Sequence, residues 1–259
     1  MKKIYLSLTT VATLACFNGI ASAAMMTEFT STANNWINFT SQSNEDGTLT
    51  AGAAGGQAFD AEYLFYKISG NTLSIGLQTG FDLSDGQQKY GNKWYYAGDL
   101  ALSFDNSPTS YEYAVDFGLY TKDGAGHKVE ADIDHNGKDA QGFYKDITWN
   151  NDIYFSASNP FAMDGGDIVT GALLKNTWAG WESYSNYRIV ELDLEKILGS
   201  DWMNGGFTLG AHWTMSCGND AIDGAVTIPG DPVPEPATML LFGTGLAGLA
   251  GLTRRRTNR

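Results

Sequence analysis

Hydrophobic and polar residues alternate one by one in several segments, which is the pattern of a half-buried β-strand. Every second residue of 207–215 is apolar: Phe207, Leu209, Ala211, Trp213 and Met215. Residues 111–119 alternate in the same way, and further short strands are predicted at 100–104 and 187–194. Residues 62–68 and 72–79 are joined by Ser69-Gly70-Asn71, a hairpin signal. The pattern predicts an all-β fold, an antiparallel β-sandwich that is jelly-roll-like. Only 193–198, closed by Gly199, predicts a short helix.

The N-terminus has the three parts of a secretory signal peptide. Lys2 and Lys3 precede an apolar stretch, and Ala21-Ser22-Ala23 fits an A-x-A cleavage site. We therefore expect export through the Sec translocon and removal of residues 1–23 by signal peptidase. A membrane anchor is the weaker alternative, because the apolar run is short of a span. Lipoprotein processing at Cys16 is a second alternative, although the residues before Cys16 fit it poorly.

The C-terminus also has three parts, in a fixed order. Val233-Pro234-Glu235-Pro236 lies in a Pro-rich stretch that cannot continue a helix or a central strand. Residues 237–253 carry no charge and are at the short limit for a membrane span. Arg254, Arg255 and Arg256 follow at once, and such a cluster stays on the cytoplasmic side. A plain single-pass anchor would explain the span and the arginines, but not the Pro-Glu-Pro motif.

This tail resembles the PEP-CTERM sorting signal of Gram-negative bacteria that produce exopolysaccharide. The resemblance implies recognition by an exosortase. It also implies export across the inner membrane and transient anchoring by the C-terminal helix. Release to the cell surface or extracellular matrix, in association with exopolysaccharide or biofilm, would follow. The preceding residues are also similar to an exosortase-dependent surface-protein family of unknown activity, in segments 149–152, 158–164 and 212–220.

These features divide the chain into four parts. We expect a signal peptide at 1–23, a β-sandwich body at 24–223, a Pro/Gly linker with the motif at 224–236, and a transmembrane helix with its Arg-rich tail at 237–259. The whole chain of 259 residues has a net charge of −13, and residues 24–232 carry about −18, because six basic residues and one acidic residue, Glu235, lie outside them. Such a surface repels nucleic acid, which we exclude as a partner.

One acidic segment begins like a calcium-binding loop. Asp132, Asp134 and Asn136 precede Gly137 in a D-x-D-x-N-G run, and oxygen ligands at alternate positions suit Ca²⁺. The run departs from an EF-hand at its twelfth position, where Phe143 stands in place of Glu. Solvated turn residues are the alternative. Apart from a structural Ca²⁺ ion, no cofactor is expected.

Aromatic residues in Gly- and Asn-rich stretches are candidate sugar contacts. Aromatic rings stack on the C–H faces of sugars, so a lectin-like module is the alternative function; the candidates are Trp94, Tyr95, Trp149, Trp178 and Trp181. Tryptophan is also commonly buried in a sandwich, and both readings stay open.

No motif in the chain predicts an enzyme. There is no nucleophile elbow, P-loop or zinc-spaced histidine pair. A glycosidase would require two opposed carboxylates in a cleft, and an acidic chain offers too many candidates to choose from. We expect a non-enzymatic protein in which His212 is a cross-strand surface residue. Cys217 is the lone thiol after signal removal, either buried or paired with another molecule.

Overall fold

The computed structural model describes residues 24–41, 56–105, 107–122, 140–182, 184–230 and 244–246. Their strands are β1 (Ile37–Asn38), β2 (Ala61–Ser69), β3 (Thr72–Thr79), β4 (Gln87–Tyr90), β5 (Lys93–Tyr96), β6 (Leu100–Ser103), β7 (Tyr113–Asp116), β8 (Gly142–Asn150), β9 (Ala162–Ile168), β10 (Leu173–Glu182), β11 (Ser185–Asp193), β12 (Gly206–Thr214) and β13 (Ala221–Pro229). Short helices are α1 (Thr27–Thr30), α2 (Leu194–Leu198) and α3 (Trp202–Gly205), with 3-10 turns at Thr32–Asn34, Gly56–Phe59 and Ser156–Ser158.

The strands pair into two large sheets and one separate hairpin. The five-stranded sheet has the order β1-β2-β3-β11-β10, and the six-stranded sheet has the order β13-β12-β6-β7-β8-β9. β4 and β5 form the hairpin, and the strand pairs of all three sheets are antiparallel. The predicted all-β, antiparallel class is confirmed. The narrower jelly-roll label stays a prediction.

Both large sheets contribute side chains to one hydrophobic core. Leu73, Ile75 and Leu77 of β3 lie in the same buried cluster as Leu209 and Trp213 of β12. All five apolar residues of the predicted strand 207–215 are buried. Alternation therefore identified the core-facing side of β12, and the two sheets enclose the core as a sandwich does.

Local signals in the sequence account for the connections. Gly70 in the β2–β3 turn has φ +57°, which a residue without Cβ adopts freely. α2 begins after Asp193, whose carboxylate accepts hydrogen bonds from the backbone N–H groups of Glu195 and Lys196, and ends before Gly199 at φ +87°. The predicted hairpin and helix are confirmed.

The strand predicted at 111–119 is shorter than expected. β7 spans only Tyr113–Asp116, because Tyr111 has φ +34° and Gly118 has φ +70°. Val115 and Phe117 still point into the core. Tyr111 instead packs beside His212, so the backbone turn moves its ring off the core-facing side.

Residues 24–36 cover the outer face of the five-stranded sheet. Phe29 of α1 stacks on Phe65 with ring centroids 4.1 Å apart, and Trp36 packs against the same cluster. The main chain of Met26 donates to the Gln78 side-chain oxygen at 2.9 Å, and Gln78 donates back to the Ala24 carbonyl at 3.0 Å. This segment therefore closes a second, smaller core.

The last strand extends past the predicted end of the body at 223. β13 pairs with β12 without interruption from Ala221 to Pro229. On its other side, the Ala225 N–H donates to the Phe39 carbonyl, and the Ser41 N–H donates to the Asp223 carbonyl. Residues 224–229, which the sequence assigned to the linker, thus belong to the sheet. Pro229 ends the strand, where the missing N–H costs the ladder little.

Candidate functional site

Two segments that are distant in the sequence meet at β12. His212 Nε2 lies 3.0 Å from the carbonyl oxygen of Ser158, whose own hydroxyl donates to the Gly218 carbonyl at 2.6 Å. The Phe155 N–H donates to the Cys217 carbonyl at 3.2 Å. Segments 158–164 and 212–220, identified separately in the sequence, therefore form one junction of direct hydrogen bonds.

His212 lies inside this junction, so the prediction of a surface histidine is wrong. Only 3% of its surface is exposed, because the Ser156–Ser158 turn covers the face of β12 opposite the core. Its Nδ1 lies 2.8 Å from an Asp223 carboxylate oxygen. Both ring nitrogens of His212 therefore face an oxygen atom, one from a carboxylate and one from a main-chain carbonyl. The Tyr111 hydroxyl also donates to Asp223, at 3.0 Å.

Gly98 and Asp99 form further hydrogen bonds with the same two segments. Trp213 donates its indole N–H to the Gly98 carbonyl at 3.1 Å, and the Met163 N–H donates to Asp99 at 2.7 Å. A Cβ at Gly98 would lie 2.2 Å from the Phe161 carbonyl oxygen. The chain needs glycine there because two backbones approach too closely for any side chain.

A group of buried carboxyls lies at the start of β2. Glu62 is fully buried and accepts hydrogen bonds from Gln57, from Gln78 at 2.6 Å and from Ser185 at 2.5 Å. Burial raises its pKa to about 7, because removal from water disfavours the charged form more than these donors favour it.

Asp220 belongs to the same region. It accepts from the backbone N–H groups of Ala61 at 2.8 Å and Ala221 at 2.9 Å, so it connects the beginnings of β2 and β13. Burial raises its pKa to about 7, and its side chain is hydrogen-bonded to that of Asp60. Two carboxyls can share a hydrogen bond only when one of them carries a proton.

Cys217 is a buried thiol. It forms no disulfide in the part of the chain that the structure describes. Burial raises its pKa to about 11, so little thiolate is present near neutral pH. Of the two alternatives that the sequence left open, this environment favours the inert thiol.

The five candidate aromatics lie in three different places. Trp94 on β5 is 51% exposed, while neighbouring Tyr95 is half-buried against the core. Trp178 and Trp181 lie on β10, an edge strand, and Trp181 is 52% exposed. Trp149 is half-buried and donates its indole N–H to the Tyr111 carbonyl at 3.1 Å. Exposure therefore favours Trp94, Trp178 and Trp181 as contact residues.

A cavity of about 240 Å³ lies where β8 and β9 approach β10. Its wall includes Phe143, Ile168, Leu174 and Lys175. None of the candidate residues from the sequence lines it.

The remaining candidates fall outside the described residues. These are the calcium candidates Asp132, Asp134 and Asn136, the motif Val233 to Pro236, and the arginines Arg254 to Arg256. Within the described ranges, no group of three or more His, Cys, Asp or Glu residues is placed to hold a metal ion. The same ranges contain no helix that is both long and apolar enough to cross a membrane.

Comparison with known families identifies one segment of the chain. The family model for the PEP-CTERM protein-sorting motif matches residues 232–256. The chain carries a PEP-CTERM sorting motif. This motif indicates export and exosortase-dependent sorting to the cell surface. No curated protein and no solved structure matches the chain.

The PEP-CTERM match begins directly after the folded body. β13 ends at Pro229, and the matched segment starts at residue 232. The body therefore leads into the sorting motif with almost no intervening chain.

Sequence reasoning overlooked several side chains that the structure makes prominent. Tyr90 and Tyr154 are exposed, and each lies beside Lys93 of the β4–β5 hairpin, while Glu62 is a buried carboxyl. The run Lys89-Tyr90-Gly91-Asn92-Lys93-Trp94 was a usable signal, because it combines aromatic and basic residues around a Gly-Asn turn. Nothing local indicated the burial of Glu62, whose donors come from β3, β11 and the turn before β2.

Proposed function

We propose that this chain is a non-enzymatic surface or extracellular-matrix protein that an exosortase releases from a transient membrane anchor. The sorting motif at 232–256, directly behind β13, carries this proposal. In it, the Sec translocon exports the chain, signal peptidase removes residues 1–23, and residues 237–259 hold it in the inner membrane until cleavage. The released body then associates with exopolysaccharide in the matrix.

The bonding of the buried ionisable residues supports a non-enzymatic role. His212 and Asp220 each join separate segments of the fold through both of their polar atoms. Glu62 is closed off beneath three donors. A catalytic acid or base must lie within hydrogen-bonding distance of a substrate proton. The polar atoms of these three residues are instead hydrogen-bonded to other groups of the protein.

The proposal is tested by intact mass and localisation of three variants in the producing cell. In Glu235→Ala, which alters the motif, we expect full-length, membrane-bound protein. In a variant with Ser at 254, 255 and 256, we expect mislocalisation, because the stop-transfer charge is lost. Asp231→Ala is the matched control, since it removes a carboxylate just before the matched segment and should be sorted normally.

Two results would contradict this proposal. One is wild-type surface protein that still carries residues 237–259. The other is unchanged processing in a host that lacks its exosortase. Either would make the tail an ordinary anchor.

A lectin-like module is the second candidate function, favoured by the exposed indoles of Trp94, Trp178 and Trp181. Tryptophan and tyrosine provide large rigid surfaces at a low entropic cost. A Ca²⁺ ion at Asp132, Asp134 and Asn136 stays a prediction within this alternative.

A further inference from the structure

The β4–β5 hairpin differs in charge from the rest of this acidic chain. Residues 86–98 contain Lys89 and Lys93 and no Asp or Glu. Of the flanking carboxylates, Asp99 is buried, whereas Asp85 is exposed and accepts from the Gln87 N–H at 3.1 Å. Residues 86–98 themselves carry a net charge of +2 on a protein of net charge −13.

Each lysine of the hairpin lies against an exposed aromatic ring. Lys89 Nζ is 5.7 Å from the centre of the Trp94 ring, its direct partner across the two strands. Lys93 Nζ is 5.0 Å from the centre of the Tyr154 ring and donates to its hydroxyl at 2.9 Å. Tyr90 is opposite Lys93, so both faces of the hairpin carry a lysine and an exposed ring. Tyr90, Trp94 and Tyr154 are 50%, 51% and 58% exposed.

These contacts position the two ammonium groups before any ligand arrives. The hydrogen bond to Tyr154 also raises the pKa of Lys93. Lysine has a flexible stem, and holding it against a ring lowers the ordering cost on binding. Each ammonium carries three donors, so donors remain for a ligand.

We propose that the β4–β5 hairpin, together with Tyr154, is a binding surface for an acidic polysaccharide. On one face of the hairpin Lys89 pairs with a carboxylate of the polymer and Trp94 stacks on a sugar ring. On the other face Lys93 pairs with a carboxylate, and Tyr90 and Tyr154 stack on sugar rings. This inference rests on the proposed matrix function and assigns its ligand class and contact residues. Lys89 and Lys93, with no Asp or Glu in residues 86–98, argue for a glycan that carries carboxylates rather than a neutral one. The acidic remainder of the body confines such a contact to the hairpin.

The aromatic residues of β10 provide an internal contrast. Trp181 is as exposed as Trp94, but the next residue in the chain is Glu182, whose carboxylate accepts from the Thr27 N–H at 3.0 Å and the Thr27 hydroxyl at 2.7 Å. An acidic residue in place of a lysine at the neighbouring position disfavours an acidic polymer. Trp181 is therefore a matched control for Trp94.

The test measures binding of the processed protein, purified from its producing cells, to immobilised alginate and to immobilised dextran. Wild type should bind alginate, more weakly as NaCl rises, and should show little affinity for neutral dextran. The double variant Lys89→Gln/Lys93→Gln should bind alginate at least about tenfold more weakly, and Trp94→Ala about three- to tenfold more weakly. The controls Lys175→Gln/Lys196→Gln and Trp181→Ala should change binding less than about twofold.

Several outcomes would overturn this assignment. The first is alginate binding that the hairpin lysine variant leaves unchanged. The second is an equal loss in the control lysine variant, which would indicate net charge alone. A third is equal binding to polyglutamate that does not depend on Trp94, which would indicate a simple polyanion or an acidic protein as the partner.

This experiment separates the inference from the proposed function. Cleavage and surface localisation do not involve the hairpin, so the lysine variants should be sorted normally. A normal sorting result with no alginate binding would refute only the hairpin assignment. A Glu235→Ala protein that is sorted normally, with alginate binding intact, would refute only the sorting proposal.

Discussion

Glu62 and Asp220 are held inside the body by hydrogen-bond donors rather than by basic side chains. Burial raises the pKa of each from its ordinary acidic value to about 7. Between about pH 4 and pH 7 the folded state therefore keeps protons that the unfolded chain has released. The free energy of unfolding must fall as pH rises through this window, which is opposite to the effect of an ion-paired carboxylate.

This direction of the pH dependence can be tested with Glu62→Gln, which keeps the size of the side chain and removes its charge. The wild type should be more stable to urea at pH 5 than at pH 8, and the substitution should reduce that difference by about 1–3 kcal/mol. Glu191→Gln on the partly exposed side of β11 is the control and should leave the difference unchanged. A Glu62→Gln protein with the full wild-type pH dependence would show that Glu62 is not a source of it.

Single residues also show where sequence reasoning reaches its limit. Alternation correctly assigned Trp213 and Leu209 to the core, because that signal depends only on neighbours in the same strand. His212 was wrongly assigned to the surface, because the turn that covers it lies more than 50 residues away. Its burial depends on a long-range contact that no local pattern records.

At the scale of elements, α1 can pack on the five-stranded sheet because residue 76 is a glycine. Phe29 lies over Gly76 of β3, where an added Cβ would be 2.4 Å from Phe29 Cε1. Gly76→Ala should therefore displace Phe29, loosen residues 24–36 and lower the free energy of unfolding by about 1–3 kcal/mol. Limited proteolysis followed by mass analysis should show earlier cleavage within residues 24–36.

Gly180→Ala on β10 is the matched control, because a Cβ there meets no atom within 4 Å. It should leave both stability and cleavage unchanged. Equal effects of the two substitutions would mean that glycine itself, and not the space occupied by Phe29, matters at position 76.

The boundary of β13 shows a second limit at this scale. The four prolines from Pro229 to Pro236 suggested a linker from 224 onward, but Val226 and Ile228 pack against the core in an alternating pattern. That alternation was present in the sequence, but the prolines were taken as the stronger signal, so the strand was missed. By contrast, the β2–β3 hairpin was predictable, because its turn residues and the alternation in both strands indicate the same structure.

At the scale of the whole molecule, charge and sorting divide the chain into regions with separate tasks. Six of the sixteen basic residues lie at the two ends, which direct export in our proposal, and the body between them is acidic. The β4–β5 hairpin interrupts that acidic surface with two lysines. Composition alone predicted the acidic body, but the pairing of Lys93 with Tyr154, 61 residues away, required the fold.

The position of β13 leads to a last prediction, about what cleavage does to the body. Because the strand ends at Pro229 and the sorting motif begins at 232, a chain that ends at Gly230 should have the melting temperature of the processed protein, within about 2 °C. A chain that ends at Ala225 loses the pairing of Val226 and Ile228 with β12 and should be less stable by about 2–3 kcal/mol.

Thermal and urea unfolding of these two chains and the processed protein make the comparison. If the chain ending at Gly230 unfolds early, residues beyond 230 support the fold, and removal of the tail would destabilise the body. If it matches the processed protein, the sorting segment contributes nothing to the stability of the β-sheet body. An exosortase could then cut at the motif and release a body whose last strand is already held by β12 on one side and by Phe39 on the other.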